Sequence, residues 1–311
     1  MTEGRRSGGK AVGRLLGVRR DKAPASRPPG LFRLARHLSR RRAPGGYRLL
    51  ETTRRLGLLE RVVRYRVTDA VTLDVPIWRP ENAWDRPDLL AYQSELIDDL
   101  VGAVEGMGAP VTLLDCGADI GLVSVLVAAR CADRLESVVA VEPNQTAYRV
   151  LEGNLARLPV PARSSLAAVS DFTGRGDLVS PEYDSSDHAR FLVAAGDGNI
   201  PVVRIDDLEI PPQSHLVIKL DVEGGEQQAL RGARRTLEGS ARFAVSFEAH
   251  RAVAQRTGID PVEIIEFLNG LRPCDVSVSE FPGVPITTER PFFSQVDDPR
   301  PIGFSVLCRS R

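Results

Sequence analysis

From Val111 onward, short apolar runs alternate with longer stretches in which apolar residues recur at helical spacing. The run "VTLLDCG" opens on a β-branched residue and ends in glycine, and "LVSVLVAARC" follows Gly121 with the length and composition of a helix. "SVVAVEP" reads as a second buried strand and "QTAYRVLEGNLAR" as a second helix. "SSLAAVSD", "HLVIKLD" and "RFAVSFEAH" supply a third, fourth and fifth strand. Buried strands separated by helical segments predict a parallel sheet covered on both faces. The last helix start is marked by Asp260 as cap, Pro261 in the first turn and Glu263 at the capping-box position. Beyond it, "CDVSVSE" and "GFSVLCR" alternate as two strands joined by a Pro-rich loop, a hairpin expected to close the sheet's edge. The fold class is therefore α/β: a Rossmann-like, mostly parallel seven-stranded sheet with a C-terminal antiparallel hairpin. The stretch over 171–208 is too long for a simple connection and predicts a β-hairpin excursion of the kind that covers sites. Arg204, Asp206 and Asp207 in it are assigned a structural or supporting role.

The pattern before residue 109 differs. Leu49, Leu56, Leu59 and Val63 share one helical face, "YRVTDAVTLDVPIW" is strand-like, and Leu90, Leu96, Leu100 and Val104 mark a helix leading into the sheet. These pieces define an N-terminal cap region over 46–108, preceding the main domain over 109–311. Residues 1–45 hold Arg, Gly and Pro clusters with little apolar content and are expected to be a disordered basic arm. Leu31, Leu34, Ala35 and Leu38 within it form a short basic amphipathic pattern that suits peripheral contact with a membrane surface.

Charge sharpens this division. Residues 1–66 carry 19 Lys plus Arg against 4 Asp plus Glu, a net of 19 − 4 = +15, whereas the remainder carries 22 against 37, a net of −15. The overall neutrality, 41 basic and 41 acidic, joins a basic arm to an acidic body. The four cysteines lack CxxC spacing and lie in apolar segments, which argues against zinc sites or a disulfide framework. No apolar run approaches the roughly 18 residues of a spanning helix, and arginines interrupt the first apolar stretch, so a cytoplasmic protein is expected.

The candidate chemistry begins at "LLDCGADIG", where Asp115 ends a strand and Gly117 and Gly121 occupy the turn into a helix. Such a turn lets main chain approach a ligand and aims unpaired amides at it. Glu142 closes the next strand, where a carboxylate accepts both ribose hydroxyls of an adenosine. A dinucleotide fold calls for G-x-G-x-x-G, whereas here the glycines flank Ala118, Asp119 and Ile120. That spacing favours S-adenosylmethionine over NAD.

These blocks, together with "VVAVEPNQTAYRVLEGNL", "AAVSD", "VVRIDDL", "VIKLDVEGGEQQALRGA" and "FEAH", resemble the FkbM-type methyltransferases from about Tyr92 to Glu280. The resemblance implies a class I methyltransferase fold and methylation of hydroxyl groups on small natural products, sugars or glycolipids. It places Asp115, Gly117 and Gly121 at the cofactor's methionine end, Glu142 at the ribose and Asp171 near the adenine. Position 119, usually Asn in the family, is Asp119 here, and an ionised carboxylate cannot donate a hydrogen bond.

Asp221 ends the fourth strand and Glu248 the fifth, and ligands of an open α/β sheet sit outside the carboxyl ends of its strands. Alternation puts Ser246, Glu248 and His250 on one side of the fifth strand, opposite Phe243, Val245 and Phe247. Asp221, Glu248 and His250 are the candidate bases, with Lys219 as the cation that eases carboxylate repulsion. A Mg²⁺ or Mn²⁺ route through Asp221 and Glu248 competes with a metal-free one, which the built-in cation favours. The competing structural reading makes Asp221 and Glu223 caps of the helix beginning at "GGEQQ". Two rival functions are a nucleic-acid methyltransferase gripping phosphates with its arm and a noncatalytic S-adenosylmethionine-binding partner protein.

Overall fold

The computed structural model describes residues 19–20, 62–76, 93–180, 190–296 and 303–311. The expected amphipathic pattern in the arm and the helix through Leu49, Leu56 and Leu59 lie outside these residues. The chain divides into two units, 1–94 and 95–311.

In the first unit, β1 (Arg19–Arg20), β2 (Val62–Arg66) and β3 (Thr72–Pro76) form an antiparallel sheet in that order. Val63, expected on a helical face, therefore lies in a strand, where β-branched neighbours fit a pleated surface better than a helix. Arg19 and Arg20, expected to be disordered, pair with Arg66 and Tyr65; such pairing uses main-chain groups and needs no apolar side chains. Tyr65, Val67, Val71, Leu73 and Val75 are buried. The nearly buried Asp74 takes both arms of the Arg64 fork, at 2.7 and 2.9 Å.

The second unit begins one residue into α1 (Ser94–Gly106), which buries Leu96, Leu100 and Val104 as their spacing predicts. Its main sheet uses β4 (Val111–Cys116), β5 (Leu135–Val141), β6 (Ala162–Ser165), β11 (His215–Leu220), β12 (Arg242–His250), β13 (Cys274–Val278) and β14 (Gly303–Ser310). The order is β13-β14-β12-β11-β4-β5-β6. Every pairing from β12 through to β6 is parallel, while β14 runs antiparallel to both β12 and β13. The expected closing hairpin is present, with its later strand inside, because Phe304, Val306, Leu307 and Cys308 are fully buried and need neighbours on both sides.

One face of the sheet presents Leu114, Cys116, Ile218, Leu220, Phe243, Val245 and Phe247 to a single core. Residues of α4 (Glu226–Arg231), α5 (Arg234–Gly239) and α7 (Pro261–Leu271) join that core. The helix α7 carries the full capping box foreseen at Asp260 and Glu263. The connections α2 (Leu122–Cys131) and α3 (Gln145–Leu155) also fall where periodicity puts them.

Two stretches depart from expectation. The third strand of the main sheet is Ala162–Ser165, not the more apolar run behind it; Ala168–Val169 becomes β7 of a second sheet. That sheet, ordered β7-β10-β8-β9, adds β8 (Gly174–Val179), β9 (Phe191–Ala194) and β10 (Ile200–Val203). The β8–β9 pair is the predicted hairpin excursion, and β10 runs antiparallel to β8. Asp206 serves structurally, accepting from the Thr236 amide at 2.8 Å at the start of α5, while Arg204 forks onto Asp207 at 2.9 Å. All four cysteines are buried free thiols; burial pushes Cys131 and Cys274 up to about 11, so they are unreactive at neutral pH.

Candidate active site

The carboxyl ends of β4, β5, β11 and β12 bring the predicted residues other than Asp171 together in two groups. The first surrounds the turn after β4. Gly117 holds a left-handed backbone (φ 71°), and a Cβ there would lie 1.8 Å from the Asp221 carbonyl oxygen, so no other residue fits. Its amide and that of Ala118 donate to the Val141 carbonyl at 2.9 and 3.1 Å, which sets the turn beside the end of β5. Gly121, also left-handed at φ 81°, starts α2.

Glu142 follows β5 and is buried. Its Oε2 accepts the Asp119 amide at 2.7 Å and its Oε1 the Asn144 amide at 2.8 Å. Burial, joined by the charge of Asp119, pushes its carboxyl up to about 7 despite those two amides. A partly desolvated carboxylate whose two oxygens each take one main-chain amide keeps lone pairs for further hydroxyl donors. Asp119 itself sits at φ 52°, where a short polar side chain is tolerated. Asp115 is fully buried, with Ser124 Oγ donating to its Oδ2 at 2.7 Å. Asp171 is exposed just past β7, where Ser170 Oγ donates to its Oδ1 at 3.4 Å.

The second group is built on side-chain charge. Register aligns Asp115, Lys219 and Ser246 across β4, β11 and β12. Lys219, 4% exposed, donates from Nζ to the Gly117 carbonyl at 2.7 Å and lies 3.4 Å from Asp115 Oδ1 and 3.3 Å from Asp221 Oδ2. Burial opposes its charge, but Asp221 and Asp115 outweigh burial and hold the ammonium above the ordinary lysine range. Because Leu220 pairs with Phe247, the next step along each strand sets Asp221 beside Glu248. Asp221, Glu223 and Glu248 each bring one carboxylate oxygen within 4.8 Å of the others, and these are the residues that would hold a hard divalent ion. Burial first, then the charges of Asp221, Glu223 and Glu226, push Glu248 up to about 9.

His250 belongs to the same strand end, but its Nδ1 accepts the Ala252 amide at 3.2 Å and caps α6 (Arg251–Thr257). That bond leaves the proton of the neutral ring on Nε2, which is free to donate. Burial and the nearby Arg256 lower its pKa. Glu226 is buried and accepts the Val222 and Gly224 amides on Oε1 at 3.1 and 3.2 Å. The loop before α4 is thus held by Glu226, and the N-cap of α4, Gly225, has no side-chain cap. In "DVEGGEQ" the amides that Glu226 accepts lie four and two residues before it, outside the capping-box offset, so no local pattern marked this role.

A Gly-rich turn thus lies beside a strand-end carboxylate, next to a lysine-buttressed acidic cluster at the ends of adjacent strands. Residues 115–275 match the methyltransferase FkbM domain, and the chain belongs to that family. No curated protein matches it in sequence. Among solved structures, methyltransferase FkbM from Methylobacillus flagellatus KT is similar at 16% identity and TM-score 0.42, over 75% of this chain and 54% of that protein. The chain therefore spans about half of that protein's length. A precorrin-6y C5,15-methyltransferase from Geobacter metallireducens GS-15 aligns at 12% identity and TM-score 0.37, over 70% of this chain and 88% of the other. A SAM-dependent methyltransferase from Agrobacterium tumefaciens aligns at 12% identity and TM-score 0.38, over 80% and 70%. No helix among the described residues is long and apolar enough to cross a membrane.

Proposed function

We propose that this enzyme methylates a hydroxyl group of a small natural product, sugar or glycolipid, with Asp221 receiving the hydroxyl proton. The observation that carries this reading is the pairing of Asp221 with Glu248 beside Lys219. Glu248, pushed up to about 9, keeps its proton at neutral pH, while Asp221 faces the ammonium at 3.3 Å. A protonated Glu248 can donate, while Asp221, facing the ammonium, is the acceptor of the pair. S-adenosylmethionine supplies an electrophilic methyl group on its sulfonium when bound. Asp115 and the Gly117–Gly121 turn would hold its methionine end and Glu142 its ribose, with Asp119 beside them and Asp171 toward the adenine. Glu248, protonated, and His250, through Nε2, orient the acceptor's oxygen by hydrogen bonds, and Asp221 accepts its proton as the oxygen attacks.

The base role considered for His250 passes to Asp221 because the Nδ1 lone pair is occupied by the Ala252 amide. A metal-free route is favoured, since Lys219 already offsets the charge of Asp221. The basic arm over 1–45 and the cap over 46–108 are accessory in this reading, with the +15 charge (19 − 4) of residues 1–66 drawing the enzyme to anionic lipid surfaces. The test is S-adenosylhomocysteine release from a panel of hydroxylated sugars, glycolipids and polyketide alcohols, in EDTA. Turnover on a hydroxyl acceptor in chelator is expected. Turnover confined to RNA or to amines would refute the acceptor class, and turnover requiring added Mg²⁺ would refute the metal-free route.

A further inference from the structure

The loop that carries Asp221 and Glu223 into the site is conformationally demanding. Glu223 and Gly224 are consecutive left-handed residues, at φ 56° and 97°, and a glutamate stays there only when its surroundings hold it. From within, Glu226 grips the amides of Val222 and Gly224. From outside, Arg256 of α6 donates from Nη2 to the Glu223 carbonyl. The helix packs so closely that a Cβ on Gly224 would meet Arg256 Nη2 at 2.8 Å and Val253 Cγ1 at 2.9 Å. The same guanidinium lies 4.1 Å from the ring centroid of Phe191, the first residue of β9. One planar cation thus uses an edge on the acidic loop and a face on the hairpin excursion, a double duty that a lysine cannot reproduce.

We propose that Arg256 is a positioning residue of methyl transfer: it locks the loop over 221–225 and ties it to the β8–β9 hairpin, so that the hairpin's placement is transmitted to the acidic cluster. The catalytic meaning of this clamp rests on Asp221 acting as the base, whereas the clamp itself is testable without an acceptor. A purely local packing role would leave Phe191 and the loop over 221–225 independent of each other. Coupling between them is the distinguishing property.

Hydrogen–deuterium exchange on the full chain with S-adenosylhomocysteine, in wild type, Arg256→Gln, Arg256→Lys and Phe191→Leu, tests it. Arg256→Gln is expected to speed exchange at the amides of 222–225 by about 10-fold or more, with S-adenosylhomocysteine affinity unchanged. Arg256→Lys should restore part of the protection, since an ammonium still donates to the carbonyl. Phe191→Leu should loosen the same amides although it lies in another sheet. If Arg256→Gln does not fold, the other two variants decide the matter. Wild-type exchange at 222–225 in Arg256→Gln, or a Phe191→Leu effect confined to β9, would overturn the clamp. Full turnover in Asp221→Asn would instead refute the base and leave the exchange signature standing.

Discussion

The two halves of the site solve different problems with different materials. Around β4 and β5 the surface proposed for the cofactor is mostly main chain: two left-handed glycines, and a Glu142 carboxylate fixed by the amides of Asp119 and Asn144. Around β11 and β12 it is side-chain charge, with one buried lysine facing Asp115 and Asp221 and a third carboxyl, Glu248, left protonated. A backbone cradle suits a ligand of constant shape, such as a nucleoside. A charge cluster suits the changing protonation of an acceptor hydroxyl. The two halves meet physically, because Lys219 reaches the Gly117 carbonyl and the Asp221 carbonyl lies against Gly117.

The comparison is broken most forcefully at the acidic half. Asp221→Asn should lower turnover by roughly 10²-fold or more with cofactor affinity retained, as expected for loss of a general base. Initial-rate kinetics of S-adenosylhomocysteine release check it. Lys219→Met strips the cation from two carboxylates and should destabilise the fold by about 3–5 kcal/mol, measured by denaturant titration. Glu248 gives a signed pH test. Its folded pKa lies above the ordinary 4.5, so its protonated form favours folding fully below that value, and the contribution is lost as pH rises through about 9. Glu248→Gln should therefore melt close to wild type at acid pH and progressively above it toward pH 9. The smallest effect is expected at the cofactor half. Asp119→Asn keeps a residue suited to left-handed backbone and removes a charge that disfavours ionised Glu142. S-adenosylhomocysteine should bind it as well or up to about threefold tighter, by calorimetry.

Legibility in the sequence followed the same division. The glycine turn, the strand-end Glu142 and the capping box of α7 are local patterns, spaced by a few residues, and periodicity placed them correctly. The Asp115–Lys219–Asp221 network depends on register between strands a hundred residues apart, so sequence offered the residue types on a shared face but not Asp115 as the lysine's second partner. His250 was legible as a residue at the strand's end, but its capping bond to Ala252 appears only once the chain turns into α6. The polar third strand, Ala162–Ser165, was hidden because it is a sheet edge with exposed residues, while the more apolar Ala168–Val169 serves a different sheet.

The division of labour is tested most directly by calorimetric titration of S-adenosylhomocysteine into Glu142→Ala and Asp221→Asn side by side. Loss of the strand-end carboxylate should weaken binding by roughly 10- to 100-fold, the worth of one hydrogen bond to a charged acceptor, while Asp221→Asn stays within about twofold of wild type. Wild-type affinity in Glu142→Ala, or an equal loss in Asp221→Asn, would contradict the assignment of the two halves.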